Sequence, residues 1–563
     1  MKDLQLKEKR IWHKFYAPGT PVSIDYDKTT VTRALRRTAE RVPDRVAINY
    51  MGGKMTYRQL NGLVNRFARF LMAQGIKEKD KVAVIMPNLP QTIVANMAIM
   101  RIGAVAVQNN PLYTERELSY QLNDSDAVFA ITLTLLVPRI LKLMSETKIK
   151  KVMGCHIHSY LPFPKKQLFP LVKKAMYRKL ETNETVLLFE EQINKYSDEP
   201  VEDKADWNEM GAMVYTGGTT GVSKGVMLSH RNLSCNVQQL NAALPGLDER
   251  ESCTGSFPIF HSAGFTIIQD YLIWKGITHC LIPRPEPKGL FDMIKRDRPT
   301  FVTGAPTMFV GLLNIPEFRK MDLTFIKGFI SGSAPLAAET IRDIKELTGA
   351  TMGEAYGLTE TTVLTAMTPW GGTIKPGTVG VPVPDTDIKI VDVANGTKEL
   401  KTGEAGEICI KGPQVMMGYY KKPKETEEVL KKGWFYTGDI GFFDKEGYLT
   451  ISDRKKDMIL ASGFNIYPVE VDNVLMNHPK ILEVCTIGVP DSYRGETVKV
   501  YVVVKPGQTM AVDEVIAFSK EKLAAYKVPK QVEFIDELPK SPVGKILRRE
   551  VREMEKKKRQ GVA

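Results

Sequence analysis

The 563-residue chain has only six cysteines, at 155, 235, 253, 280, 409 and 485, and no C-x-x-C pair among them. That scatter excludes a small disulfide scaffold and offers no zinc site, so a reduced interior is expected. Long apolar runs are also missing. The best, Val128 to Val137, is about ten residues long and interrupted by threonines, too short to cross a bilayer. The amino-terminal MKDLQLKEKRIW is charged and lacks an apolar signal core, which predicts a cytoplasmic protein. No period of 20 to 50 residues repeats, which excludes solenoids and propellers. What is present is ordinary globular material, 43% apolar and 25% charged, enough for about four packing units. Lys+Arg 78 against Asp+Glu 65 leaves +13, which suits anionic small molecules, anionic membrane surfaces or nucleic acid and does not choose among them.

KVAVIMPN (81–88) is a Val/Ile-rich run that stops at Pro87-Asn88 and predicts an interior strand. LPQTIVANMAIMRIGA (89–104) places Ile93, Met97 and Met100 on one helical face, and AVAVQNNP (104–111) predicts a second strand. This β-α-β order argues a parallel sheet covered by helices. Shorter segments at 387–393 and 405–411, separated by Asn-Gly and Gly turns, predict an antiparallel small barrel or second sheet. After ISDRKKDMILASGFNIYP (451–468) the texture changes: a helix in PVEVDNVLMNHP, then strands in LEVCTIGVPD and ETVKVYVVVKPG. The expected architecture is α/β: a large domain of doubly wound-like sheets at 1–452, a hinge at 453–456, and a small mobile α+β domain at 457–563. One segment stands apart. PFPKKQLFPLVKKAMYRKLE (162–181) reads as a basic amphipathic helix, with Leu168, Leu171, Val172, Ala175, Met176 and Leu180 opposite Lys165, Lys166, Lys173, Lys174, Arg178 and Lys179. Such a helix either lies in an anionic membrane interface or packs its apolar stripe on its own domain.

The strongest local signal is MVYTGGTTGVSKGVMLSH (213–230), in which a short apolar strand enters a loop containing Gly217, Gly218, Gly221, Gly225 and Lys224. Glycines let the backbone turn its N–H groups inward around an anion. The hydroxyls of Thr216, Thr219 and Thr220 add donors, and the lysine adds a mobile positive charge, a combination suited to a triphosphate. It is not a G-x-x-x-x-G-K-[ST] loop, because Ser223 intervenes before the lysine.

This stretch resembles the phosphate loop of the adenylate-forming superfamily, usually T-S-G-T-T-G-x-P-K-G, with Gly217 and Ser223 as departures. The Gly-Gly form is similar to that of bacterial long-chain fatty-acyl-CoA synthetases. The family's other motifs follow in order over roughly residues 50 to 550. SGSAPL (331–336) and GEAYGLTE (353–360) resemble the adenine pocket, which implies that Ala355 and Tyr356 border the purine and that Thr359 contacts the α-phosphate. Glu360 would hold Mg²⁺ together with Thr216, since a hard cation takes carboxylate, hydroxyl and phosphate oxygens. In GWFYTGDIGFFDKEGYLTISDRKKD (433–457) the resemblance implies that Asp439 binds the ribose hydroxyls, Arg454 grips ribose or phosphate, and Lys456 is the hinge residue. Leu460 stands where many members carry a lysine, so that lysine's role does not transfer. Lys545 in LPKSPVGKILRRE (538–550) resembles the catalytic lysine that enters the nucleotide site for the first half-reaction. An ammonium there would stabilise charge building on the phosphate oxygens.

The implied chemistry uses ATP, Mg²⁺ and coenzyme A. A carboxylate attacks the α-phosphorus to give acyl-adenylate and pyrophosphate. The small domain then turns about Lys456, withdraws Lys545, and lets the thiol reach the acyl carbon past Gly463. SFPIFHSAGFTIIQD (256–270) aligns with the acid-binding segment and has no carboxylate before Asp270, which argues against an amino-acid substrate. Phe265 aligns with a tunnel gate, and Gly304 and Ala305 are small enough to leave room for a chain. His261 reads equally as an acid-binding residue or a core histidine. A long- or medium-chain fatty acid is expected, with an aromatic or alicyclic acid, or loading of a carrier protein in place of coenzyme A, as alternatives. A homodimer and peripheral contact with the inner face of an anionic membrane stay open. No nucleic-acid partner is expected.

Overall fold

The computed structural model describes residues 10–216, 223–455, 457–461, 464–491, 495–541 and 544–560. Among them, four sheets frame a mixed α/β chain. The first runs in the order Gly418–Tyr419, Gly225–Ser229, Met210–Tyr215, Val105–Gln108, Lys81–Ile85, Ala127–Leu133, Lys151–Cys155, Val186–Leu188. From Met210–Tyr215 onward its neighbours are parallel, and the first two strands are antiparallel additions. The expected β-α-β unit is present as Lys81–Ile85, helix Pro90–Arg101 and Val105–Gln108. The helix is buried on every side, not only along Ile93, Met97 and Met100, because it lies between the sheets. A second sheet has parallel strands at its centre, including Thr351–Tyr356, Phe301–Gly304 and Ser252–Gly255. The core shared by the two sheets contains Val82, Val84, Ile93, Leu233, Phe257 and Phe265.

The predicted short strands are Asp387–Val391 and Gly406–Lys411, antiparallel in a third sheet with Trp434–Phe443 and Leu449–Arg454. The fourth sheet lies in the C-terminal region, where Ile481–Asp491 pairs with Gly495–Val504 over a core of Ile459, Val471, Leu475 and Val500. Of the residues expected to form the hinge, Asp453 and Arg454 end a strand, and the Lys455 ammonium donates to Glu407 at 3.0 Å. Lys456 lies outside the described residues, as does Gly463.

The segment 162–181 is not one helix. Helix Lys165–Val172 ends at Lys173, a single 3-10 turn covers Lys174–Met176, and the chain is then extended. Pro170 inside the helix supplies no amide donor, so the periodic pattern outlasts the helix it suggested. Leu168, Leu171, Val172 and Met176 are exposed, whereas Leu180 turns inward to pack on the domain.

Helix His230–Ala243 follows strand Gly225–Ser229, which leaves the glycine loop, and fixes what faces it. Ser229 caps it by accepting from the Asn232 N–H at 3.1 Å. Asn232, Asn236 and Gln239 recur on one face and are buried. The Asn232 amide donates to the Pro413 and Val415 carbonyls, each at 2.8 Å. Asn236 donates to the Leu364 carbonyl and accepts from its N–H, both at 2.9 Å. Gln239 donates to the Pro384 carbonyl at 2.8 Å. Three loops from distant parts of the chain are thus held against one helix. Asn236→Ala would leave the buried Leu364 N–H unpaired and its carbonyl with only the Gln414 amide at 3.5 Å, a loss of about 2 kcal/mol. Urea unfolding checks this, and a variant as stable as wild type would remove the stripe from the account.

Candidate active site

Strand Met210–Tyr215 delivers Thr216 to its carboxyl end, where the Thr216 N–H donates to the Lys224 carbonyl at 3.0 Å and closes the neck of the loop. Gly217, Gly218, Thr219, Thr220 and Gly221 lie outside the described residues. Beyond the loop, Lys224 is half-buried, its ammonium 4.6 Å from the centre of the Tyr419 ring. The Tyr419 hydroxyl donates to Glu360 at 2.8 Å. One aromatic residue therefore links the loop lysine to the carboxylate expected to hold the metal. Tyr419 was not singled out by its sequence. It sits in an ordinary Gly-Tyr-Tyr run, 59 residues from Glu360.

Ala355 and Tyr356 end strand Thr351–Tyr356, and Thr359 and Glu360 follow in a 3-10 turn. A side chain on Gly357 would collide with the Val363 carbonyl, so the chain has this tight return only with glycine there. The Glu360 carbonyl accepts from the Met416 N–H at 2.8 Å. Burial raises the affinity of the Glu360 carboxyl for its proton, against the pull of the Tyr419 hydroxyl and Arg454. A carboxylate whose side-chain donor is one neutral hydroxyl fits a hard cation that draws its remaining ligands from phosphate and water. Among the described residues there is no cluster of three or more His, Cys, Asp or Glu side chains able to hold a metal ion.

Asp439 and Arg454 are cross-strand partners on Trp434–Phe443 and Leu449–Arg454, with Arg454 Nε 3.2 Å from Asp439 Oδ1. The Tyr356 hydroxyl donates to the other carboxylate oxygen at 2.8 Å. The adenine-pocket candidate and the ribose-binding candidate are thus joined directly. Lys545 arrives from the C-terminal region on a turn in which the Ser541 N–H donates to its carbonyl at 2.7 Å. Thr307 of the large domain donates to the Gly544 carbonyl at 3.4 Å. The half-buried lysine is close enough to Arg454, Asp439 and His261 for their charges to act on it or it on them.

His261 is half-buried, and burial together with the Lys545 charge lowers its pKa to about 4, so the imidazole is neutral. Next to it, the hydroxyls of Ser262 and Thr359 are 3.3 Å apart, linking the acid segment to the phosphate segment. Asn88 fixes the start of that segment. It donates to the Gly255 and Phe257 carbonyls at 2.8 and 2.9 Å and accepts from the Ile259 N–H at 2.8 Å. Phe265 is fully buried in the widened helix Gly264–Tyr271. The space beside Gly304 is bordered by Met308 and Phe309, 3.3 and 3.4 Å from where a β-carbon would sit. Asp270 is buried and pushed up to about 8, so it stays protonated at neutral pH and offers no counter-charge to an amine.

Residues 35–420 match the AMP-binding enzyme family, and residues 470–545 match the AMP-binding enzyme C-terminal domain. The chain belongs to the AMP-binding enzyme family. It is 40% identical to a long-chain-fatty-acid–CoA ligase of Bacillus subtilis, over 98% of this chain and 99% of that one. A long-chain-fatty-acid–CoA ligase of Escherichia coli O157:H7 is 38% identical, with 97% and 98% covered. Among solved structures, ATP-bound MatB from Rhodopseudomonas palustris superposes with a TM-score of 0.81 at 29% identity, covering 94% of this chain and 99% of that one. The anthranilate CoA ligase AuaEII with anthranoyl-AMP gives 0.85 at 25% identity, covering 95% and 98%.

In this AMP-binding enzyme, Lys545 stands against a like charge. Repulsion from Arg454, followed by burial, lowers its pKa to about 8 from an ordinary 10.5, with Asp439 opposing the shift. Without a bound anion, the ammonium is lost as pH rises through about 8. Nuclear magnetic resonance titration of ¹³C-dimethylated lysines in the unliganded enzyme should find one group near that value. Arg454→Gln should move it back toward 10.5. No lysine titrating below 10 would contradict the placement.

Proposed function

We propose that this chain uses ATP to join a fatty acid of long or medium chain to coenzyme A. The observation that carries this reading is the convergence of Lys545 with Asp439, Arg454 and Tyr356, beside the Glu360–Tyr419–Lys224 chain that borders the glycine loop. Two long-chain-fatty-acid–CoA ligases, 40% and 38% identical over nearly the whole length, support the choice of acid. The neutral His261 and protonated Asp270 support it too, since the acid segment offers no anion to a charged substrate group.

In this reading the phosphates lie on the backbone of 217–221 with the hydroxyls of Thr216, Thr219 and Thr220 and the ammonium of Lys224. Asp439 accepts from the ribose hydroxyls, an acceptor-only role suited to a carboxylate. Tyr356 and Ala355 border the adenine, and Thr359 donates to the α-phosphate. Mg²⁺ would be held by Glu360 and Thr216 and would neutralise phosphate charge. The fatty-acid carboxylate oxygen forms a bond to the α-phosphorus, and the bond to the departing pyrophosphate breaks. Lys545 holds its proton and stabilises the oxygens that gain charge in that step. Rotation at 453–456, centred on Lys456, then withdraws Lys545. The thiol of coenzyme A bonds to the acyl carbon past Gly463, loses its proton to solvent, and AMP leaves. His261, Phe265 and Gly304 border the acid. The location we propose is cytoplasmic, with peripheral contact at the inner face of the membrane.

Acid-dependent exchange of labelled pyrophosphate into ATP isolates the first step. Lys545→Ala should slow it by roughly 10²–10³, the range for losing one oxyanion donor. Thioester formation from preformed acyl-adenylate should be nearly unaffected. Exchange at the wild-type rate would refute the assignment of Lys545. A panel of acids of graded length and shape, read by AMP release, tests the substrate class, and turnover confined to aromatic acids would overturn it.

A further inference from the structure

The segment 163–180 has apolar side chains on both of its sides. Inward, Phe169 stacks on His158 with ring centres 5.3 Å apart and planes at 8°. Tyr177 stacks on His156 at 5.3 Å and 21°. Leu180 sits 2.7 Å from where a β-carbon on Gly154 would be, so that glycine makes room for it. These three contacts fasten the segment and leave its other apolar residues no surface of their own domain to cover.

Outward, Phe163, Leu168, Leu171, Val172 and Met176 are 83%, 47%, 67%, 71% and 42% exposed. They are five of the fourteen large exposed apolar residues among those described, gathered within fourteen positions. Such clustering marks an interaction surface, whereas single exposed residues do not. Leu168, Leu171 and Val172 are spaced to share one side of helix Lys165–Val172. Around them are Lys165, Lys166, Lys173, Lys174, Arg178 and Lys179, all exposed and in none of the ion pairs found among the described residues. From Ile157 to Leu180 the chain contains no carboxylate.

We propose that this segment is a fixed in-plane docking foot for an anionic lipid bilayer, with the five apolar side chains entering the acyl boundary and the six cations meeting lipid phosphates. The proposal deepens the membrane location given above and does not depend on which acid is activated. Charge decides the occupant. A second copy docking the same patch about a two-fold axis would set six cations against six, whereas an anionic leaflet attracts every one of them. No helix among the described residues is long and apolar enough to cross a membrane, so the contact lies in the interface plane.

The position suits delivery of an apolar acid. The foot leaves the carboxyl end of strand Lys151–Cys155, the same sheet edge from which the glycine loop leaves Met210–Tyr215. Four strand spacings separate them, about 19 Å. Gln91 donates to the His156 carbonyl at 2.9 Å from the first turn of the helix that follows Asn88. Asn88 in turn fixes Phe257 and Ile259, which lead into His261.

The test is flotation of the full-length chain with phosphatidylcholine vesicles and with vesicles containing about 30% phosphatidylglycerol. Wild type should bind the anionic vesicles, and the binding should weaken as salt screens the cations. Leu171→Asp with Val172→Asp, and separately Lys165, Lys166, Lys173 and Lys174→Gln, should each weaken it by at least about tenfold. Both variants should keep wild-type melting and wild-type activation of a water-soluble acid without vesicles. In Leu171→Trp, indole emission should shift to the blue on anionic vesicles only. Failure of wild type to bind, or equal binding by both variants, overturns the proposal. So does a change in oligomer mass in the variants with vesicle binding intact, which would assign the face to a second copy. Lys545→Ala should still bind vesicles. Failure of wild type to activate any acid, with vesicle binding retained, would refute the ligase reading alone.

Discussion

The site depends on a positive charge that the protein alone does not neutralise. Lys545 is brought beside Arg454, and Asp439, the carboxylate paired with the guanidinium of Arg454, is also engaged by the Tyr356 hydroxyl. The lysine therefore holds its proton weakly until an anion arrives. In the proposed reaction, a phosphate placed between Lys545 and Lys224 would relieve this repulsion at the point where charge builds as the carboxylate attacks the α-phosphorus. Electrostatic repulsion in the empty site and stabilisation of the reacting state thus have a single cause.

Placing those groups requires long-range order. The two large sheets share one core, and helix His230–Ala243 uses a row of buried amides to hold three loops beside the glycine loop. Glu360 lies in one of the segments so held, four residues before Leu364, and Tyr419 lies just beyond another. Asn88 does the same for the acid segment. In each case a side-chain amide with both a donor and an acceptor satisfies backbone groups that no strand reaches, which is what buried loops demand.

How much of this was legible in the sequence varies with the range of the interaction. The β-α-β unit at 81–108 was readable because a buried strand and its helix are local patterns. The glycine loop and the order of the family motifs pointed to Thr216, Glu360, Asp439, Arg454 and Lys545 before any geometry was known. Tyr419 was not readable, because a tyrosine in a Gly-Tyr-Tyr run carries no local sign of a partner 59 residues away. The amide row at 232, 236 and 239 looks in sequence like a solvated helix face and is buried only because loops from elsewhere cover it. Segment 162–181 misled in the opposite way. Its apolar period continued past Pro170 and Lys173, where the helix stops, and it did not separate the residues that pack, such as Leu180, from those that stay exposed.

The most direct measurement is calorimetric. Binding of ATP at about pH 8.5, followed in buffers of different ionisation enthalpy, reports how many protons the complex takes up. If a nucleotide anion seats against Lys545, wild type should take up about 0.7 of a proton more than Lys545→Met, as the lysine returns from about 8 to 10.5. Equal proton uptake by the two proteins, with ATP bound to both, would mean that the nucleotide and the lysine do not meet.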